Sequence, residues 1–275
     1  MSGAFVGPAK RGDGHLAPWF PGFEDVPAWL DDLLHARNIS DGGSHGSYED
    51  PFYRYLDIGL RIPFSTATDW FVDDFSRVYV PLEADGSPRD WLRQLAAGRS
   101  SIANGTFRKL DVGPWAAGDV SELAEPGKLT IRGRVVGRND CRTAELVVNG
   151  HVVHAVASQP REECHACELE FAATVDAQAW IAVRIPRGGV KNELDRELFA
   201  HASPIDVRLA RRDAFRPAAA RARLSAKEKN LPLIQAQATF ADGAEEHAIL
   251  EVRRRAIDRL KRRLADHAHG VGSPP

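Results

Sequence analysis

The residues best placed to do chemistry are Thr68 and Asp69, which follow a short apolar run, Leu60 to Phe64, through Ser65, Thr66 and Ala67. In α/β folds, sites assemble at the C-terminal ends of strands, and a carboxylate there serves as a metal ligand or a general base. Asp also caps a following turn, so Asp69 carries both readings. Candidate imidazole partners are His15, in GDGHLAPWF, and His45, in GGSHGSYED. His15 precedes Pro18 and two aromatics, a setting that suits a metal ligand and equally a surface histidine in an irregular segment. His45 sits in a Gly/Ser loop and reads as solvent-exposed.

Other constellations read as structural. Cys164-His165-Ala166-Cys167 has the look of a metal knuckle, with Cys141, His151 and His154 as partners. A structural zinc needs a second well-spaced pair, and the chain has three cysteines in all. His201 with Ser203 suggests a hydrolase, but no Gly-x-Ser-x-Gly elbow positions a serine nucleophile. The basic run RRRAIDRLKRR keeps its apolar residues at helical spacing, as a solvated helix face packed on the β-rich part of the chain does. The six tryptophans read as core.

The block 51–105 resembles the CehA/McbA-type metallohydrolases, relatives of the PHP phosphoesterases. The resemblance rests on Phe52-Tyr53-Arg54-Tyr55-Leu56-Asp57-Ile58-Gly59, Thr68-Asp69, Arg77-Val78-Tyr79, Trp91-Leu92 and Gly98-Arg99 through Asn104-Gly105, in that order. It extends across roughly residues 15–210, including Val148-Asn149-Gly150 and Ala200-His201-Ala202-Ser203-Pro204. It implies a (β/α) barrel binding a divalent metal (Zn, Mn or Fe), with Asp69 as a late metal-binding carboxylate and Arg77 nearby in the catalytic site, where it holds an anionic substrate oxygen or orients Asp69; His15, a candidate metal ligand, and His45 are the possible replacements for the family's missing histidines. The departures are specific. The family's opening His-x-His pair has no counterpart ahead of Asp69, the Gly before Thr-Asp is Ala67, and a His found in some relatives two positions after the Asp is Phe71. The chain therefore matches the closing part of such a barrel and expects a partner chain to complete it, or an open sheet in its place.

The elements that must position these residues follow from local pattern. Residues 1–22 are rich in Gly and Pro without periodicity, and Val26, Trp29, Leu30, Leu33 and Leu34 predict a helix over 24–37. A loop over 41–47, a helix over 50–59 ended by Gly59, strands at 60–64 and 77–82, and a helix over 88–98 opened by Ser87-Pro88 follow. Beyond residue 100 the pattern turns to strands: 128–136, a hairpin through Asn149-Gly150, 167–175, 179–185 and 204–209, with 187–200 a loop insertion. Helices return from 211, the last over 244–267. The expected fold is α/β plus β: a partial PHP-like barrel over 1–105, an antiparallel β-sandwich over 106–210 and a helical extension over 211–275.

Bulk properties narrow the function. Of the 275 residues, 43% are hydrophobic and 27% charged, an ordinary globular composition. The 36 basic and 38 acidic side chains leave a net charge of -2, which argues against a dedicated nucleic-acid or anionic-membrane binder. No apolar run approaches the ~20 residues that span a bilayer, and the first residues lack a secretory signal, so a cytoplasmic location is expected. The expected function is metal-dependent hydrolysis of an ester or phosphoester bond in a small-molecule substrate. The alternatives are a non-catalytic β-sandwich binding module and a subunit completed by a separate N-terminal half.

Overall fold

The computed structural model describes residues 37–40, 49–61, 63–66, 76–112, 114–188, 190–210, 212 and 214–269. In chain order the first elements are β1 (Arg37–Ser40), α1 (Glu49–Leu56), β2 (Phe64–Thr66), β3 (Arg77–Tyr79), α2 (Pro88–Ala96) and β4 (Ser101–Ala103). Then come β5 (Thr106–Val112), β6 (Trp115–Ala116), β7 (Val120–Leu123), β8 (Gly127–Gly137), β9 (Thr143–Val148) and β10 (His151–Ala157). The remainder are β11 (Gln159–Pro160), β12 (His165–Val175), β13 (Ala179–Ile185), β14 (Ala200–Ala202), β15 (Ile205–Leu209), α3 (Pro217–Gln237) and α4 (Gly243–Ala268). The helix predicted over 24–37 lies outside the described residues except for Arg37, which opens a strand instead. Two compact units form: one joins 49–60 to the chain from Phe215 onward, the other holds Arg61–Ala214 with β1.

The larger unit is built from mixed sheets. β8 reads Gly-Lys-Leu-Thr-Ile-Arg-Gly-Arg-Val-Val-Gly, and its burial follows that alternation: Leu129, Ile131 and Val135 are buried while Lys128, Thr130, Arg132 and Arg134 are exposed. β12 pairs with it antiparallel over its full length, which sets Glu168 opposite Arg134 and Glu170 opposite Arg132 on the solvent face. Those opposed charges meet at 2.9 and 3.4 Å. With β5, β6 and β11 they make a five-stranded sheet in the order β11-β12-β8-β5-β6.

A second sheet of eight strands is centred on β13, which pairs with β9 along one edge and with β14 and β15 along the other. Beyond β14 lie β4 and β3; β7 adds to β15 in parallel. The two sheets share one apolar core, with Leu129, Ile131, Val135 and Leu169 from the first meeting Leu146, Ile181, Val183 and Ile205 from the second. A Cβ at Gly133 would stand 3.1 Å from the Val183 side chain, so the missing side chain sets how closely the sheets approach. The hairpin β9–β10 turns through Asn149 and Gly150 at φ 50° and 83°, the positive values that an Asn-Gly turn requires.

In the smaller unit, α1 buries Phe52, Tyr55 and Leu56 and ends as its spacing predicts: the Leu60 amide reaches back to the Tyr55 carbonyl and the Gly59 amide to that of Leu56. The Arg216 amide donates to the Asp57 carbonyl at 2.7 Å, and the Arg223 guanidinium lies 5.2 Å over the Tyr55 ring. α4 buries Leu250, Ala256, Ile257 and Leu260, and packs against α3 with Lys261 on Glu228 at 2.8 Å. The basic run thus belongs to a helix whose apolar stripe is buried. No helix among the described residues is long and apolar enough to cross a membrane.

Candidate functional site

β1 and β2 pair in parallel, Arg37 opposite Phe64 and Asn38 opposite Ser65. Parallel neighbours need a crossover, and the connection between them contains α1. Residues 67–75 follow β2; they carry Asp69 and lie outside the described residues, as do His15 and His45. The chain returns at Ser76, which is buried, and at Arg77, exposed at the start of β3. Both β3 and β4 lie against β2, so both ends of the segment bearing Asp69 belong to one group of strands.

Three of the motif blocks fold into a single β3–α2–β4 unit. Arg77 stands opposite Ala103, Val78 opposite Ile102 and Tyr79 opposite Ser101. Between them α2 starts on a capping box: the Asp90 amide donates to the Ser87 hydroxyl, and the Ser87 amide donates to the Asp90 carboxylate at 3.0 Å. The Ser87 hydroxyl and amide, with the Arg93 guanidinium, hold the Asp90 carboxyl below its usual range. Trp91 of this helix is half-buried and Leu92 is 60% exposed, so the core role expected of the tryptophans fits the fully buried Trp180 and not Trp91. Gly118 approaches the end of α2 so closely that a Cβ there would lie 2.2 Å from the Gly98 carbonyl oxygen.

Asn104 follows β4 and is buried. Its side-chain amide donates to the Glu197 carbonyl at 2.8 Å, its side-chain oxygen accepts the Phe199 amide at 2.8 Å, and its own carbonyl accepts from Asn192 Nδ2 at 2.9 Å. Asn192 Oδ1 in turn accepts the amides of Leu194 and Arg196. Two asparagines therefore clasp the 187–200 connection, and the motif position shapes the backbone here. No local pattern announces such a clasp, because its partners lie about ninety positions apart.

The other candidates are placed as follows. His201 is fully buried on β14, with Nδ1 2.7 Å from the Ala202 carbonyl, to which it must donate. The Ser203 hydroxyl pairs with that of Ser100 at 3.2 Å. His154 stacks on Phe171, ring centroids 5.2 Å apart. Cys167 turns into the core and meets Cys141, sulfur to sulfur 3.5 Å. One ionic group went unforeseen: Arg61 donates to Asp206 on β15 at 2.5 Å and to the Gly118 carbonyl at 2.8 Å.

An open cleft of about 630 Å³ lies beside α2, lined in part by Leu82, Asp85, Asp90, Arg93, Arg99 and Asp119. Two ion pairs lie in it, Arg93 on Asp90 at 2.6 Å and Arg99 on Asp119 at 3.0 Å. Among the described residues no group of three or more His, Cys, Asp or Glu side chains could hold a metal ion. Asp69 and His15, the residues offered as metal ligands, lie outside that part of the chain. The chain matches no protein-family model, no curated protein and no solved structure.

Proposed function

We propose that the chain is a partial or degenerate relative of the metal-dependent hydrolases it resembles, and that hydrolysis of an ester or phosphoester bond belongs to it when its site is completed. The observation that carries this reading is the parallel β1–β2 pair, whose second strand lies against β3, the strand bearing Arg77, and precedes Thr68-Asp69 in the sequence. In this reading Asp69 and His15 supply metal-ligating atoms and Arg77 holds an anionic substrate oxygen. The remaining ligands come from a partner chain that completes the barrel. A bound Zn, Mn or Fe would supply acidified water and bond polarisation. The test is the content of these metals in the purified chain, in Asp69→Ala and in His15→Ala. Stoichiometric metal lost in the variants supports the assignment; equal content in all three removes Asp69 and His15 as ligands.

The two-sheet body favours a second reading, a non-catalytic binding module. It has its own core and presents the cleft beside α2. This reading expects no stoichiometric metal in the wild-type chain and no hydrolysis of nitrophenyl esters or phosphates, with or without added metal.

A further inference from the structure

We propose that Cys141 and Cys167 are a redox pair that closes into a disulfide, fastening the connection between the two sheets to β12. Cys141 lies in the 138–142 connection that carries the chain from β8 in one sheet to β9 in the other. Cys167 lies on β12 opposite Val135 of β8. Their sulfurs are 3.5 Å apart inside the common core, with 26 positions of chain between them. That is contact distance, which side-chain rotation can close.

The surroundings hold both sulfurs in place. Arg142, at φ 57°, turns the connection, and its amide donates to the Asp140 carboxylate at 2.8 Å. The Ser158 amide closes the turn on the Arg142 carbonyl at 2.8 Å. On the other side the Ala144 amide, at the start of β9, donates to Cys167 Sγ.

The two sulfurs are not equivalent. The two thiols share a hydrogen bond, and this contact draws the pKa of Cys141 down to about 7, against burial and the nearby Asp140 carboxylate. Cys167 is pushed up by that same contact and by burial. Cys141 also keeps a small exposed area, 5% against 0% for Cys167. Cys141 is therefore the nucleophile and the point of entry, and Cys167 the resolving thiol.

With a peroxide as oxidant the chemistry balances. The Cys141 thiolate attacks one oxygen of hydrogen peroxide, the O–O bond breaks, and the other oxygen leaves as hydroxide, taking the proton lost by Cys141 to become water. Cys141 is then a sulfenic acid. The Cys167 sulfur displaces the hydroxyl, which departs as water with the Cys167 proton. Two thiols lose two electrons and two protons, and one peroxide becomes two waters.

The experiment treats the full chain, reduced and freed of reductant, with a slight excess of hydrogen peroxide and weighs it intact. The expected result is a loss of about 2 Da, reversed by dithiothreitol. Trypsin without reductant then yields peptide 139–142 joined to peptide 162–184. Because the second peptide carries both Cys164 and Cys167, the measurement is repeated on Cys164→Ser, which keeps the cross-link. The oxidised chain melts about 5–10 °C above the reduced one, as a cross-link closing a loop of this length implies. An unchanged mass, oxygen added to sulfur without a cross-link, or a cross-link lost in Cys164→Ser would each overturn the proposal.

Discussion

Asn104 and Phe199 are joined twice: the Phe199 amide donates to the Asn104 side-chain oxygen at 2.8 Å, and the Asn104 amide donates to the Phe199 carbonyl at 3.3 Å. One asparagine thus works as an additional rung between the strand that ends at Ala103 and the connection that leads into β14. The bonds of Asn104 are those of a backbone-shaping residue that ties segments far apart in sequence together.

Asn104→Ala removes both side-chain bonds and leaves the Phe199 amide buried without its acceptor. The expected cost is about 2–3 kcal/mol of stability, from the lost bonds and the stranded donor. Denaturant melts measure it. Hydrogen exchange at the Phe199 amide should accelerate more than at Ile131 in the opposite sheet; uniform acceleration would mean that Asn104 does not act locally.

Gly118→Ala is expected to be among the most damaging turn substitutions in the larger unit. Gly118 sits at φ 85°, and the added Cβ would stand 2.2 Å from the Gly98 carbonyl oxygen and 2.9 Å from Arg99 Cα. Both contacts are backbone, so nothing flexible gives way. A loss of about 2–4 kcal/mol follows from strain and overpacking together. A melting temperature unchanged from wild type would contradict the packing of this turn on the end of α2.

What the sequence disclosed is what local pattern can encode. The alternation of Leu129, Ile131 and Val135 with charged neighbours predicts β8, and the Asn149-Gly150 pair predicts the hairpin turn because its conformational demand is local. Ser87-Pro88 and Gly98 bracket α2 for the same reason. β4 and β14, three residues each, are too short to show a period; they exist because β13 and β3 pair with them. α3 leaves no clear local pattern, since Pro232 stands inside it and its apolar residues gather on no one stripe. For the candidate site, Arg77 is found where a strand was expected, while Asp69 and His15 fall outside the described residues. The Arg61–Asp206 group and the Cys141–Cys167 contact left no local trace, because each joins distant elements.

Arg61 and Asp206 should respond unequally to removal of the partner. The Arg61 side chain is 37% exposed and that of Asp206 12%. Arg61→Ala deprives a nearly buried carboxylate of its cation, at a cost of about 2–3 kcal/mol, between the values for surface and buried pairs. Asp206→Asn leaves the more exposed guanidinium to water and to the Gly118 carbonyl, and is expected to cost about half as much. Equal losses in chemical denaturation would show that the pair is solvated alike on both sides.

The stability of the fully reduced chain should depend on pH through Cys141. Cys167, Asp140 and Ser158 lie near its sulfur, and the hydrogen bond shared with Cys167 is the largest influence, lowering the Cys141 pKa to about 7 from an ordinary value of 9.0. A thiol with a depressed pKa adds stability that is fully present above pH 9.0 and is lost as pH falls through about 7. Cys167 is displaced the other way: above its ordinary range the unfolded chain releases a proton that the folded chain keeps, which lowers stability at alkaline pH. In a buffer containing reductant, the melting-temperature gap between the wild-type chain and Cys141→Ser should therefore shift in favour of wild type from pH 7 toward pH 9, then turn back at higher pH. Calorimetry across that range measures it. A gap that does not change with pH would mean that Cys141 and Cys167 do not share a proton in the folded core.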